Sequence, residues 1–97
     1  MAKRIIWTKA AHADRKEILL YWKKHNASIT YSRKLNELFK RVVLLISAHP
    51  EIGRKTDIKN IRIKLVRDYL LFYEETEKEI IILTIWDNRR DPEQVPY

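Results

Sequence analysis

The sequence predicts an α+β domain with the order β-α-α-β-β-β, in which a helical hairpin packs on one face of a mostly antiparallel sheet. Three observations predict it. Two stretches with helical periodicity, Thr8 to Lys24 and Ser28 to His49, lie together in the first half of the chain. Three strand-like stretches, Ile61–Val66, Tyr69–Glu74 and Ile80–Trp86, then follow one another. The connections inside each group are short, which makes sequential elements antiparallel neighbours. The 97 residues read as a single domain, 1–97, with room for one modest core. The helices are expected to cover one side of the sheet, leaving the other side for function.

Lys3 to Trp7 (KRIIW) is a short apolar run and forms the first strand. Thr8 is placed to cap the helix that follows, Ala10, Ala11 and Ala13 favour it, and Asp14 is expected near the positive end of its dipole. This helix runs to about Lys24, with Ala11, Ile18 and Trp22 on one stripe and Leu19 beside it. Asn26-Ala27-Ser28 breaks the pattern, and Ser28 caps a second, longer helix. There Tyr31, Leu35, Leu38, Val42 and Leu45 recur at the spacing of one buried face. Pro50 ends that helix, because the residue before a proline is pushed out of the α region. Gly53, the only glycine, is expected to take a positive φ in the turn His49–Arg54, and Lys55 to Asn60 is a polar connector. In Ile61–Val66, Arg62 and Lys64 alternate with Ile61, Ile63 and Leu65. Tyr69–Glu74 and Ile80–Trp86 are rich in aromatic and β-branched residues, joined by a polar link at Glu75–Glu79.

The composition, 45% hydrophobic and 34% charged, is that of a soluble globular chain. No apolar run approaches the roughly 20 residues that cross a bilayer. The N-terminus has no apolar segment of signal-peptide length, so a cytoplasmic protein is expected. With no cysteine, disulfide frameworks and thiolate chemistry are excluded. His12, His25 and His49 lack metal-ligand spacing, and neither a metal nor a cofactor is expected. The net charge of +7 is unevenly distributed: residues 1–60 hold 14 basic and 5 acidic side chains, whereas residues 61–97 hold 6 and 8. Such a surface attracts anionic partners, whether nucleic acid, the ribosome or an acidic protein, although a lysine-studded solvated helix face has the same composition.

The candidate site is built on the sheet. If Ile61, Ile63 and Leu65 face the helices, Arg62 and Lys64 point to the opposite side, with Arg67 at the next turn. Arg89 and Arg90 follow the last strand, and Tyr69, Tyr73 and Trp86 border the same surface. Cations interleaved with aromatics suit a phosphate backbone with stacked bases. The same set suits metal-free RNA cleavage, with cations stabilising charge on the phosphoryl oxygens. Each residue also has a plainer reading. Arg62 and Lys64 fit a solvated strand face, Tyr73 and Trp86 fit the core, and Arg89 fits a surface pair with Asp87 or Asp91.

Three local patterns add to this: HPEIGR at His49–Arg54, RIKLVRDYLLFYEE at Arg62–Glu75, and WDNRRDP at Trp86–Pro92. In this order the chain resembles the RelE/ParE superfamily, toxins of bacterial type II toxin–antitoxin pairs, over nearly its whole length. The resemblance implies two mechanisms. RelE-like toxins cut mRNA on the ribosome, which gives Arg62, Lys64 and Arg89 catalytic roles. Yet Leu70 stands where those toxins carry an arginine, and Tyr97 matches their C-terminal tyrosine at a shifted spacing. ParE-like toxins poison DNA gyrase, and the HPxxGR, YLxxY and RRDP patterns resemble theirs. In that branch Arg67, Tyr73, Trp86 and Arg90 become target-binding residues. Both branches imply a cognate antitoxin whose acidic or amphipathic segment folds across the helices and sheet. A third reading is a non-toxic basic interaction module.

Overall fold

The structure, a computed structural model, describes residues 2–25 and 29–89. It consists of β1 (Arg4–Trp7), α1 (Lys9–His25), α2 (Ile29–Ala48), β2 (Arg54–Lys55), β3 (Ile61–Val66), β4 (Tyr69–Glu75) and β5 (Glu79–Asp87). The sheet order is β1-β5-β4-β3-β2, with β1 parallel to β5 and every other pair antiparallel. The expected α+β order is present. Among the described residues the one added strand is β2, a two-residue strand that hydrogen-bonds to β3 where a plain connector was expected.

Thr8 caps α1 as its sequence position requires, its hydroxyl accepting the Ala11 N–H at 3.0 Å. The same hydroxyl donates to the Leu83 carbonyl at 2.9 Å and so ties the start of α1 to β5. Asp14 does not serve the helix dipole; it lies beyond the first turn and turns toward the sheet. Its carboxylate accepts the Ile85 N–H at 3.1 Å and the Thr84 hydroxyl. The β4–β5 register skips there, from Tyr73↔Ile82 to Phe72↔Thr84, so α1 stabilises a β-bulge from outside the sheet. Ser28 lies outside the described residues.

The core joins Ala11, Ile18, Leu19 and Trp22 of α1 and Leu35, Phe39, Val43 and Ile46 of α2 to the helix-facing side of the sheet. The buried stripe of α2 differs from the expected one. Leu35, Phe39, Val43 and Ile46 are buried, Tyr31, Leu38 and Val42 are half-buried at its margin, and Leu45 is 47% exposed. Two apolar stripes lie side by side on this helix, and packing against the sheet selects the one rotated toward Phe39.

α2 ends at Ala48, and Pro50 opens a single 3-10 turn, Pro50–Ile52. Gly53 is not in a left-handed conformation; its φ is −75° and its ψ 154°, values open to any residue. Space, not dihedral freedom, demands glycine here. A Cβ at this position would lie 2.4 Å from the Tyr73 hydroxyl oxygen and 2.7 Å from its ring. Among the described residues, the left-handed ones are Asn60 (φ 70°) and Arg67 (φ 58°), the latter in the two-residue turn between β3 and β4.

Candidate functional site

Side chains alternate across a sheet, so cross-strand partners share a face. Val66, Tyr69, Leu71, Tyr73, Ile80, Ile82 and Ile85 belong to the core beneath the helices. Arg62 pairs with Tyr73 and Lys64 with Leu71. Both cations therefore stand on the helix side of the sheet, opposite to the expected arrangement. It is Ile61, Ile63 and Leu65 that share the far face with Leu70, Phe72 and Trp86. The far face of β3 is therefore apolar where cations were expected. Strand alternation in β3 is ambiguous because Leu65 and Val66 are consecutive apolar residues, and only one of them can face the core.

The side chain of Arg62 has a structural assignment. Its guanidinium donates to the Gly53 carbonyl at 2.8 Å and the Glu51 carbonyl at 3.3 Å, holding the 3-10 turn against β3. Tyr73 serves the same turn from below. Its hydroxyl donates to the Pro50 carbonyl at 2.6 Å and accepts the Gly53 N–H at 2.9 Å. The ring is fully buried, so Tyr73 presents no surface to a target. Tyr69 is also buried, and its hydroxyl accepts the Trp22 indole N–H at 2.7 Å. Burial raises the pKa of both tyrosines above the usual phenol value, more than their hydrogen-bond donors lower it. A phenol held neutral in this way is a poor general base at neutral pH.

Arg89 lies beyond β5 and is exposed, forming a two-pronged pair with Asp87: Nε to Oδ1 at 3.0 Å and the terminal nitrogen to Oδ2 at 2.8 Å. Asp87 raises the guanidinium pKa further, so Arg89 is charged at every relevant pH. Arg62 and Arg89 do not converge. From Tyr73, opposite Arg62, to Tyr69, opposite Asp87, is four residues of β4, about 13 Å at the strand rise. Lys64 sits between them in register, half-buried beside Leu71.

At one end of the far face a different group assembles. Leu65, Leu70 and Trp86 are consecutive cross-strand neighbours on β3, β4 and β5. Leu65 is 56% exposed; Leu70 and Trp86 are half-buried. Arg67 caps this row at the β3–β4 turn, and the Asn88 N–H binds the Asp68 carbonyl at 2.8 Å, bringing the residues after β5 to the same end. The turn that carries Arg67 and the Trp86 end of β5 thus lie at the same end of the sheet, whereas Arg89 lines a cleft on the helix side with Asp14, Glu17, Tyr69 and Asp87. Arg90 and Tyr97 lie outside the described residues. Sequence reasoning assigned Leu65 to the core and left Leu70 without a role; the doublet Leu65-Val66 is the signal that one of the two faces outward.

This row combines apolar area, an indole and a guanidinium, the composition of protein-binding hot spots. Among the described residues no group of three or more His, Cys, Asp or Glu side chains is placed to hold a metal ion, and no helix is long and apolar enough to cross a membrane.

Residues 5–92 match the family model for the ParE toxin of type II toxin–antitoxin systems, parDE. Among solved structures, the chain is similar to one from the chromosomal ParDE toxin–antitoxin system of P. aeruginosa. That match has a TM-score of 0.75 at 20% identity and covers 89% of this chain and 96% of that one. It is also similar to a chain of the RelBE2 toxin–antitoxin complex from Mycobacterium tuberculosis, with a TM-score of 0.59 at 14% identity over 90% and 99% of the two chains. At these identities the likeness is one of fold. No curated protein matches the sequence.

Proposed function

This chain belongs to the ParE toxin family of type II toxin–antitoxin systems, and from that premise we propose that it arrests bacterial growth by binding DNA gyrase and is neutralised by a cognate antitoxin. The observation that carries this reading is the row Leu65–Leu70–Trp86 with Arg67 at its end. An exposed leucine beside an indole, edged by a cation, favours a protein surface over a phosphodiester backbone. Arg67 adds a second indication. A left-handed backbone costs an arginine about 1–2 kcal/mol relative to the right-handed region, and glycine or asparagine fills such turns more cheaply. A cation kept in a strained position fits a role in recognition. The antitoxin partner is supported by the two structural neighbours, which come from a toxin–antitoxin system and a toxin–antitoxin complex.

The ribosome-dependent nuclease reading has less support. Arg62 is engaged with two main-chain carbonyls, Arg89 is paired with Asp87, and Leu70 is apolar where that chemistry uses a cation. Two readouts after tight induction without antitoxin test the proposal: linear plasmid with gyrase trapped on it, and the rate of protein synthesis. Trapped gyrase with translation continuing at first is the expected result. Messenger RNA cut within codons on ribosomes, with intact plasmid, would sink it. Induction without growth arrest would instead favour a non-toxic interaction module.

A further inference from the structure

The end of β3 opposite the target row borders a pocket of about 290 Å³, whose polar lining is Lys55, Thr56, Lys59, Asn60, Arg62 and Glu75. Local structure builds it. Lys55 on β2 is the cross-strand partner of Arg62 on β3, so the two cations share the helix-side face at the sheet edge. Lys59 comes from the β2–β3 connector, which is braced at both ends. The Thr56 hydroxyl accepts the Ile58 N–H at 3.1 Å and donates to the Ile61 carbonyl at 2.9 Å. The left-handed Asn60 then turns the chain, and its carbonyl accepts the Glu75 N–H at 2.9 Å, tying the connector to β4.

The pocket is electrostatically one-signed. Glu75, the only acid in its lining, is already paired with Lys3 at 2.9 Å. Lys55 and Lys59 form no ion pair among the described residues, although Asp57 shares their connector. Arg62 uses one terminal nitrogen on the Glu51 and Gly53 carbonyls, which fixes the guanidinium; its other N–H groups bond to none of the described residues. Lysines on an edge strand also serve to block pairing. That role needs neither an immobilised guanidinium nor a braced connector.

Three cations around a pocket with no free carboxylate suit the phosphate groups of a nucleic-acid backbone. No aromatic ring lines the pocket, so a base has nothing to stack on. With Glu75 engaged, no group there is poised to move a proton, and the pocket binds a backbone without cutting it. Ile61 at the pocket and Leu65 in the target row are four residues apart on β3, about 13 Å. They lie toward opposite ends of the strand, so a protein seated on the row leaves the pocket open. We infer that this pocket grips the phosphate backbone of duplex DNA, without reading its sequence, while the row holds the protein target. The chain then touches gyrase at one end of β3 and the DNA that gyrase carries at the other.

The inference rests on the gyrase reading, and its test separates the two. The purified full chain is titrated with a labelled DNA duplex, followed by fluorescence anisotropy. Raising salt from 50 to 200 mM should weaken binding roughly 40-fold, the counterion release of three phosphate contacts. Lys55→Glu with Lys59→Glu should lower affinity at least about tenfold. Lys34→Glu with Lys40→Glu, an equal charge change at exposed positions of α2, should lower it less than about threefold. Should the first reversal unfold the chain, Lys55→Gln with Lys59→Gln reads the same site and should still cost about threefold or more. Two duplexes of unrelated sequence should bind alike. Equal losses from the two reversals would show that binding follows net charge, and that overturns the pocket. So does a duplex that fails to bind at 50 mM salt, a preference for one sequence, or tighter binding of an RNA duplex of the same length. With gyrase present, the Lys55, Lys59 variant should trap less cleaved DNA while still binding gyrase. Trapping that the variant leaves unchanged sinks the pocket alone, and a chain that binds DNA but never traps gyrase sinks only the gyrase reading.

Discussion

Gly53 and Tyr73 are twenty positions apart and form one structural unit. The Tyr73 hydroxyl bridges the Pro50 carbonyl and the Gly53 N–H, and its ring fills the space where a Cβ would lie. Gly53→Ala forces the ring or the turn to move and is expected to cost about 1–3 kcal/mol in denaturant unfolding. Tyr73→Phe relieves part of that contact but strands a donor and an acceptor, at about 1–3 kcal/mol. The pair should therefore be non-additive in a double-mutant cycle; strict additivity would argue against direct coupling. Arg67 offers the complementary case. Arg67→Gly suits the left-handed backbone, so unfolding free energy should hold or rise by up to about 1 kcal/mol while the proposed toxicity falls. Loss of stability would show that the side chain, not the turn, is the structural element. Leu65→Asp, at an exposed position, should preserve the melting temperature and abolish toxicity.

α2 shows how far periodicity goes at the scale of the element. The sequence carries both Leu35-Leu38-Val42-Leu45 and Leu35-Phe39-Val43-Ile46 at helical spacing. Each predicts a helix, and each predicts a different rotation about its axis. The structure places the second set in the core. Phe39→Ala is accordingly expected to destabilise by about 3–5 kcal/mol, and Leu45→Ala by no more than about 0.5 kcal/mol. Similar values for the two would overturn the observed rotation. β3 poses the same problem in two-fold form. Its alternation was legible, with Arg62 and Lys64 on one face, but not which face the helices cover. α1 packs mainly over β5, and β3 is separated from β5 by β4 and lies next to the edge strand β2. Cations tolerate its helix side because their ends reach the margin, where Arg62 finds the carbonyls of the 3-10 turn. The β-bulge at Leu83 had no sequence signal, since its support comes from Asp14, seventy residues away from Thr84.

Across the whole molecule, the buried tyrosines couple the fold to pH. Their folded-state pKa values lie above the ordinary 10.0, while in the unfolded chain the phenols titrate at that ordinary value. The stabilisation is fully present below about pH 10. It is lost as pH rises from there through the folded values, because the unfolded state releases protons first. Thermal unfolding should thus fall steeply above that pH, and Tyr69→Phe with Tyr73→Phe should flatten the fall even though both variants are less stable at neutrality. An unchanged slope would assign alkaline unfolding to other groups.

The sequence by itself determined the α+β class, the order of elements, their ends at Thr8 and Pro50, the grouping of positive charge on residues 1–60, and the motifs that place the chain near the ParE toxins. These are local properties: a cap, a proline, a period or a composition acts within a few residues. Only the tertiary structure decided which stripe of α2 is buried, which face of β3 meets the helices, and why position 53 must be glycine. Periodicity specifies which residues share a face but not where that face points. That choice is made by the neighbour that excludes water from it, and here the neighbour lies many residues away along the chain.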